Sequence, residues 1–187
     1  MYDIAIIGAG PAGSSAALFS AKAGKKTLVL DSDKSMTKHA WVENHLGLSE
    51  VSGPDLIEIG KKQARKFGAE FITTIVQNIA KTDTGFSIEA ESGSYEASHV
   101  ILATGALVDL ADKIGVTIKD GTEPRIKKVI DVDAAGRTNI NGIWAAGTAA
   151  GVSVHTIVTS GDGAKVAINV ISELNGKRYV DHDVLKS

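Results

Sequence analysis

Cysteine is absent from all 187 residues. That excludes disulfides, thiolate zinc sites, Fe–S clusters and an internal redox dithiol within the chain, and it fits a cytoplasmic protein. A surplus of positive charge is also lacking. The formal net charge of −2 argues against a nucleic-acid or anionic-membrane partner. The one basic-looking stretch, GKKQARKFG (Gly60 to Gly68), places its cations at helical spacing and is read as a solvated helix face. No uninterrupted apolar run approaches the roughly 18 residues of a membrane helix. The opening MYDIAIIGAG carries no basic leader, so no signal peptide is expected and the protein is expected to be soluble and intracellular. Internal repeats and low-complexity linkers are missing too. What remains is an ordinary globular composition, 43% hydrophobic and 22% charged. Its length suits one domain over residues 1–187.

The chain opens on YDIAIIG, an isoleucine-rich run ending at glycine that reads as a buried parallel strand. A helix rich in small residues follows, closed by Gly24, and then a second buried strand, KTLVLD. This is a βαβ unit that begins at the first residue. Ser32 to Ser52 is a long polar loop of the kind that tends to carry function. SGPDLIEIGKKQARKFG predicts a helix with Pro54 near its start and Gly68 at its stop. From Ala69 to Ser98, short β-type runs between DTG and SGS turns predict an antiparallel meander, after which HVILATG returns as a buried strand. A short helical piece, a hairpin around Ala134 to Gly136, the strand GIWAAG and a long closing helix complete the pattern. The tail, 177–187, is polar and expected to be loose.

The first motif with chemistry in it is GAGPAG, with Gly8, Gly10 and Gly13 in G-x-G-x-x-G spacing between a strand and a helix. Gly8 permits the tight turn, Gly10 admits a pyrophosphate to the backbone, and Gly13 lets helix and strand pack closely. The helix N-terminus offers unpaired N–H groups and partial positive charge to phosphates. Asp31 ends the second strand, where a carboxylate accepts hydrogen bonds from an adenosine ribose and repels a 2′-phosphate. These features make a dinucleotide site without separating FAD from NAD. The five histidines (39, 45, 99, 155 and 182) show no metal-ligand spacing, so no metal is expected. Neither G-x-S-x-G nor a Ser/His/Asp arrangement is present. Trp144, on a strand, is read as core, and Trp41 as lying against a flavin or filling a gap between loops.

Beyond the first motif, GAGPAGSSAALFSAKAG, VENHLGLSEVSGPDLIEIGKKQARKFGAEF, VILATGA, TNINGIWAAGT and TIVTSGDGAKVA occur in that order. Together they resemble the FAD-binding domain of the thioredoxin reductase family, within the two-dinucleotide-binding-domain flavoproteins. The resemblance implies an α/β fold: a Rossmann-like FAD-binding domain with a central parallel sheet, helices and an inserted antiparallel β-meander. It further implies that Gly8, Gly10, Pro11, Ala12 and Gly13 cradle the pyrophosphate and that Asp31 holds the adenosine ribose. Asn44 would face the polar edge of the isoalloxazine ring, Thr104 and Gly105 would close around the cofactor's middle, and Gly147 would sit at the ribityl–phosphate junction. His155 stands where the family has a glutamine near the flavin pyrimidine, and the helix start at Thr156 would bias charge there. His155 is the one candidate catalytic residue.

Against that pattern the chain departs in several places. ATGALVDLADKIGV passes directly into what resembles the segment after the family's NADPH domain, so that domain and its C-x-x-C look excised. The glycine-rich segment after the first acidic residue is replaced by SMTKHAW, and the family aspartate after A-A-G is Thr148. A threonine hydroxyl lacks the carboxylate's charge and second oxygen. The expectation is a single-domain flavoprotein oxidoreductase that takes electrons from an external donor, either a reductase protein or a diffusible nicotinamide, and is not itself a disulfide reductase. An exposed apolar flavin face would favour a homodimer. The alternatives are a non-catalytic regulatory module binding FAD, NAD or ADP, and an NAD(H) sensor.

Overall fold

Strands buried on both faces require continuous apolar runs, and these place the sheet. β1 (Tyr2–Ile7), α1 (Pro11–Lys22) and β2 (Thr27–Asp31) form the βαβ start. The short strands β3 (Trp41–Val42) and β4 (Val51–Ser52) pair as a hairpin before α2 (Gly53–Lys66) and β5 (Glu70–Thr73). Next come β6 (Val76–Lys81), β7 (Phe86–Ala90) and β8 (Gly93–Leu102). The chain ends with α3 (Asp109–Lys113), the hairpin β9 (Ile118–Asp120) and β10 (Lys128–Ile130), β11 (Ile143–Ala145) and α4 (Thr156–Asn175). The computed structural model describes residues 1–181 and 183–185. His182 and the last two residues, part of the expected tail, lie outside them.

Seven strands make one sheet in the order β5-β2-β1-β8-β7-β6, with β11 also on β8. β5, β2, β1, β8 and β11 run parallel, while β6, β7 and the first half of β8 run antiparallel. The architecture is therefore the expected α/β one, with two differences of detail. First, β5 is no part of the meander: after α2, Gly68 at φ +95° turns the chain back to lie parallel beside β2. Second, SYEAS and HVILATG are a single strand. Its first half pairs with β7 (Phe86 opposite Ala97) and its second half with β11 (Val100 opposite Ile143), both on one edge, while β1 covers the other edge. The meander thus feeds straight into the parallel sheet without a break.

Alternation along the strands builds two cores. Ile4, Ile6, Val29, Ile101 and Trp144 face α1 and α4, meeting Ala16, Ala17, Val166, Val170 and Ile171. Ala5, Ile7, Leu28, Leu30 and Leu102 face the other way, against Ile79 and Ile88 of the meander and Ile130 of β10. Trp144 is 1% exposed, in the core as its strand position predicts. After β8 the chain turns at Gly105 (φ +66°), where the Thr104 hydroxyl donates to the Leu107 carbonyl, and α3 then packs Ala111 into the second core. Past α4, Tyr179 packs against the first core and Arg178 donates to the Asn169 side chain at 2.9 Å. No described helix is long and apolar enough to cross a membrane.

Candidate functional site

The carboxyl ends of β1, β2 and β8, with the turn after β11, open onto one cleft of about 630 Å³. Crevices at that end of an open α/β sheet are where such folds take ligands, and the volume suits a small-molecule site.

One wall is the first glycine turn. Gly8 holds φ +102°, and a Cβ there would lie 2.4 Å from the Ala103 carbonyl oxygen of the strand beside it. At Gly13 a Cβ would lie 1.9 Å from the Gly8 oxygen, so helix and strand approach as the motif predicts. Gly10 is different: an added Cβ would meet only the Ser35 side chain, at 3.1 Å, so this position is open toward the cleft wall. Gly10 caps α1 without a side-chain hydrogen bond, and Pro11 has no N–H to satisfy. The first intrahelical bond runs from Ser14 N–H to the Gly10 carbonyl at 2.9 Å. The Ala12 and Gly13 amides precede it and, as first-turn groups, have no intrahelical acceptor. Unpaired first-turn amides of this kind are donors that an anion can take.

Asp31 stands at the end of β2 as expected, lines the cleft and is 6% exposed. Its Oδ1 accepts from Ala9 N–H and Asp33 N–H, each at 3.2 Å. Its Oδ2 lies 3.1 Å from the ammonium of Lys61 on α2. This corrects the reading of GKKQARKFG as a wholly solvated face. Lys62, Arg65 and Lys66 are exposed, but Lys61 turns inward on the buried stripe of Ile57 and Ala64. Beside it the Lys38 ammonium, 2.6 Å from Asp33, holds that carboxyl below the usual carboxylate range.

The second turn forms the facing wall. Gly147 (φ +74°) is buried; a Cβ there would lie 2.6 Å from the Ala12 Cβ, which locks the turn against α1. Its N–H donates to Asp162 Oδ2 of α4 at 2.8 Å, both groups being buried. A carboxylate therefore does bind this turn, but it comes from α4 and points at the backbone. Thr148, half-buried in the short 3-10 helix Gly147–Ala150, lines the cleft with Thr156 and Thr159. The α4 N-terminus, with no acidic residue in its first turn, presents its positive end here.

The cleft thus brings together Gly8, Gly10, Pro11, Ala12, Asp31, Thr104, Gly105, Thr148 and Thr156. Gly13 and Gly147 lie behind its wall and shape it. Two expected residues are elsewhere. Asn44 sits exposed in the loop between β3 and β4, outside the cleft lining. His155 is exposed at the N-cap of α4, its Nδ1 2.8 Å from the Ser153 hydroxyl, which in turn lies 3.3 Å from a Glu123 carboxylate oxygen. His45, beside Asn44 and likewise outside the cleft lining, touches the site only through Thr156, with Nδ1 3.0 Å from that hydroxyl. Trp41 is 61% exposed, neither in the core nor lining the cleft. Among the described residues no three of His, Asp and Glu gather as a metal site requires.

Lys61 and Asp162 are the site-supporting residues that motif reading missed. Lys61 was marked by its i+4 spacing from Ile57 and i−3 spacing from Ala64, an apolar stripe interrupted by a charge.

Residues 2–123 match the pyridine nucleotide-disulphide oxidoreductase family. The chain belongs to that family. Thioredoxin reductase of Peptoclostridium acidaminophilum is 40% identical over 115 residues, which is 59% of this chain and 36% of the relative. The chain therefore spans little more than a third of the length of the curated relatives it matches. The solved thioredoxin reductase from Gloeobacter violaceus superposes with a TM-score of 0.80 at 17% identity, covering 98% of this chain and 99% of that one. An oxidoreductase from Agrobacterium tumefaciens gives 0.82 at 16% identity, over 94% and 99%. These two are likenesses of fold, and the fuller coverage takes in β11 and α4 beyond the family match.

Proposed function

We propose that this family member binds FAD along the cleft and works as a thioredoxin-reductase-like oxidoreductase domain supplied with electrons by an external donor. The observation that carries this reading is that the starts of two helices, α1 and α4, and the Asp31 carboxylate line one cleft. Asp31 would hold the adenosine ribose, the Ala12 and Gly13 amides the pyrophosphate, and Thr148 the ribityl chain. The start of α4, steadied by His45 on Thr156, would favour negative charge at the pyrimidine edge. The openness beside Gly10 fits a group that needs close backbone approach there, and the pinning of Gly147 holds the turn that carries Thr148. When bound, the flavin supplies the redox chemistry, and the chain supplies position and electrostatics.

The chain carries no cysteine, so electrons do not pass through a dithiol of its own. A reductase protein or a diffusible nicotinamide reaching the flavin would serve as donor, and an apolar flavin face favours pairing with a second copy. Thr148 favours one other reading, a nucleotide-binding regulatory module without turnover, because a neutral hydroxyl grips the ribityl chain less firmly than a carboxylate.

The visible spectrum of the purified protein, with and without added FAD, tests the proposal. A yellow or reconstitutable protein is expected; a colourless one that takes up no FAD would sink it. Anaerobic addition of NADH or NADPH then separates donors: bleaching means a diffusible nicotinamide, and persistent colour means a protein donor. Thr148→Asp should tighten FAD binding by about ten- to hundredfold in a fluorescence titration. Unchanged affinity would mean that residue 148 does not meet the ribityl chain.

A further inference from the structure

The ion pair beneath the adenosine end is built in an unusual way. Lys61 and Asp31 side chains are only 10% and 9% exposed, and their charged atoms are 3.1 Å apart. Asp31 lines the cleft, whereas Lys61 lies behind it. An ionised carboxylate has about four acceptor positions. Two on Oδ1 are taken by the Ala9 and Asp33 amides, and Oδ2, paired with the Lys61 ammonium, keeps acceptor capacity toward the cleft.

Two amides and one ammonium from three segments, namely the glycine turn, the loop after β2 and α2, hold this carboxylate. Asp33 adopts φ +61° to bring its amide in. Lys61 also has Glu58 at 3.7 Å and Asp33 at 3.9 Å, but Asp31 is its nearest partner. A buried ion pair is weak evidence of a stability role, since apolar residues of like volume generally pack as well. Ile57 and Ala64 on the same stripe show that α2 packs here with apolar side chains.

We infer that Lys61 is a positioning residue that aims the remaining acceptor capacity of Asp31 at the ribose 2′-hydroxyl of an adenosine diphosphate moiety. Lys61 acts only through Asp31. The inference rests on the dinucleotide reading of the cleft.

Calorimetric titration of the full chain with ADP and with 2′-deoxy-ADP tests it, using wild type, Lys61→Met and Lys61→Arg, each first shown to be folded by circular dichroism. Wild type should prefer ADP by about tenfold or more, the difference made by one hydrogen bond to a charged group. Lys61→Met should lose most of that preference while binding 2′-deoxy-ADP much as wild type does, and Lys61→Arg should keep it. A general structural role would weaken both ligands alike and leave the ratio intact; that result overturns the inference. So does a wild type that binds ADP without preference. A wild type that binds neither ADP nor FAD overturns the proposed function, and this inference with it. Should Lys61→Met fail to fold, Lys61→Leu, which also removes the cation and leaves no donor, takes its place with the same two outcomes on the ratio.

Discussion

Gly163→Ala should destabilise the protein by about 3 kcal/mol or more, the upper range for forced overpacking. Gly161→Ala, two residues away on the same helix, should leave it unchanged or raise stability by about 0.5–1 kcal/mol. A Cβ on Gly163 would lie 2.1 Å from the Ala12 carbonyl oxygen and 2.9 Å from its Cα, both backbone atoms that no rotamer change can remove. One on Gly161 would meet nothing within 4 Å. At this chain length the difference in melting temperature should be about 6–12 °C for the first substitution. Because Ala12 lies in the first turn of α1, pushing α4 away from it also disturbs the amides assigned to phosphate in the proposed function, and on that reading FAD retention falls with stability. Equal melting temperatures for the two variants would mean that α1 and α4 do not meet at this point.

The second large effect is expected at Asp162. Alanine there leaves the buried Gly147 N–H without its acceptor and removes a charge-assisted hydrogen bond, together costing about 3 kcal/mol. Lys165, 2.7 Å from the other oxygen, is half exposed and contributes little. Lys165→Ala should therefore stay within about 0.5 kcal/mol of wild type. Asp162→Asn, which retains an acceptor oxygen, should fall between them. FAD affinity should follow the same order, since the turn that carries Thr148 is held by this bond. Urea titration of the three variants checks the order; equal losses for Asp162→Ala and Lys165→Ala would show that the surface ion pair, and not the turn, is what Asp162 supports.

How far these features were legible in the sequence depended on how locally their causes lie. GAGPAG carries its own explanation, because the spacing, the preceding strand and the following helix are all contiguous, and Gly8, Gly13 and Asp31 stand where the motif predicts. Lys61 does not, since nothing adjacent to it says that its ammonium will find Asp31 across the fold; only its place on the Ile57–Ala64 stripe hints at burial. Asp162 was hidden for the same reason, its partner being a backbone N–H on another element. Asn44 and His155 rest on likeness of position alone, and both are exposed and outside the cleft lining, while His45 meets Thr156. β8 was read as two strands because its pairing partners change midway, and a strand's own residues do not record which neighbour lies on which edge.

The two halves of the cleft lie near opposite ends of the chain, and this sets an order of events during synthesis. α1 and its glycine turn leave the ribosome before α4, and the face that Gly163 covers stays bare until α4 emerges. β8 likewise gains its partner β11 only after α3 and the β9–β10 hairpin have been made. Contacts so distant in sequence form late and make folding slow. Between the emergence of α1 and that of α4, the meander is able to form while the cleft has only its first wall.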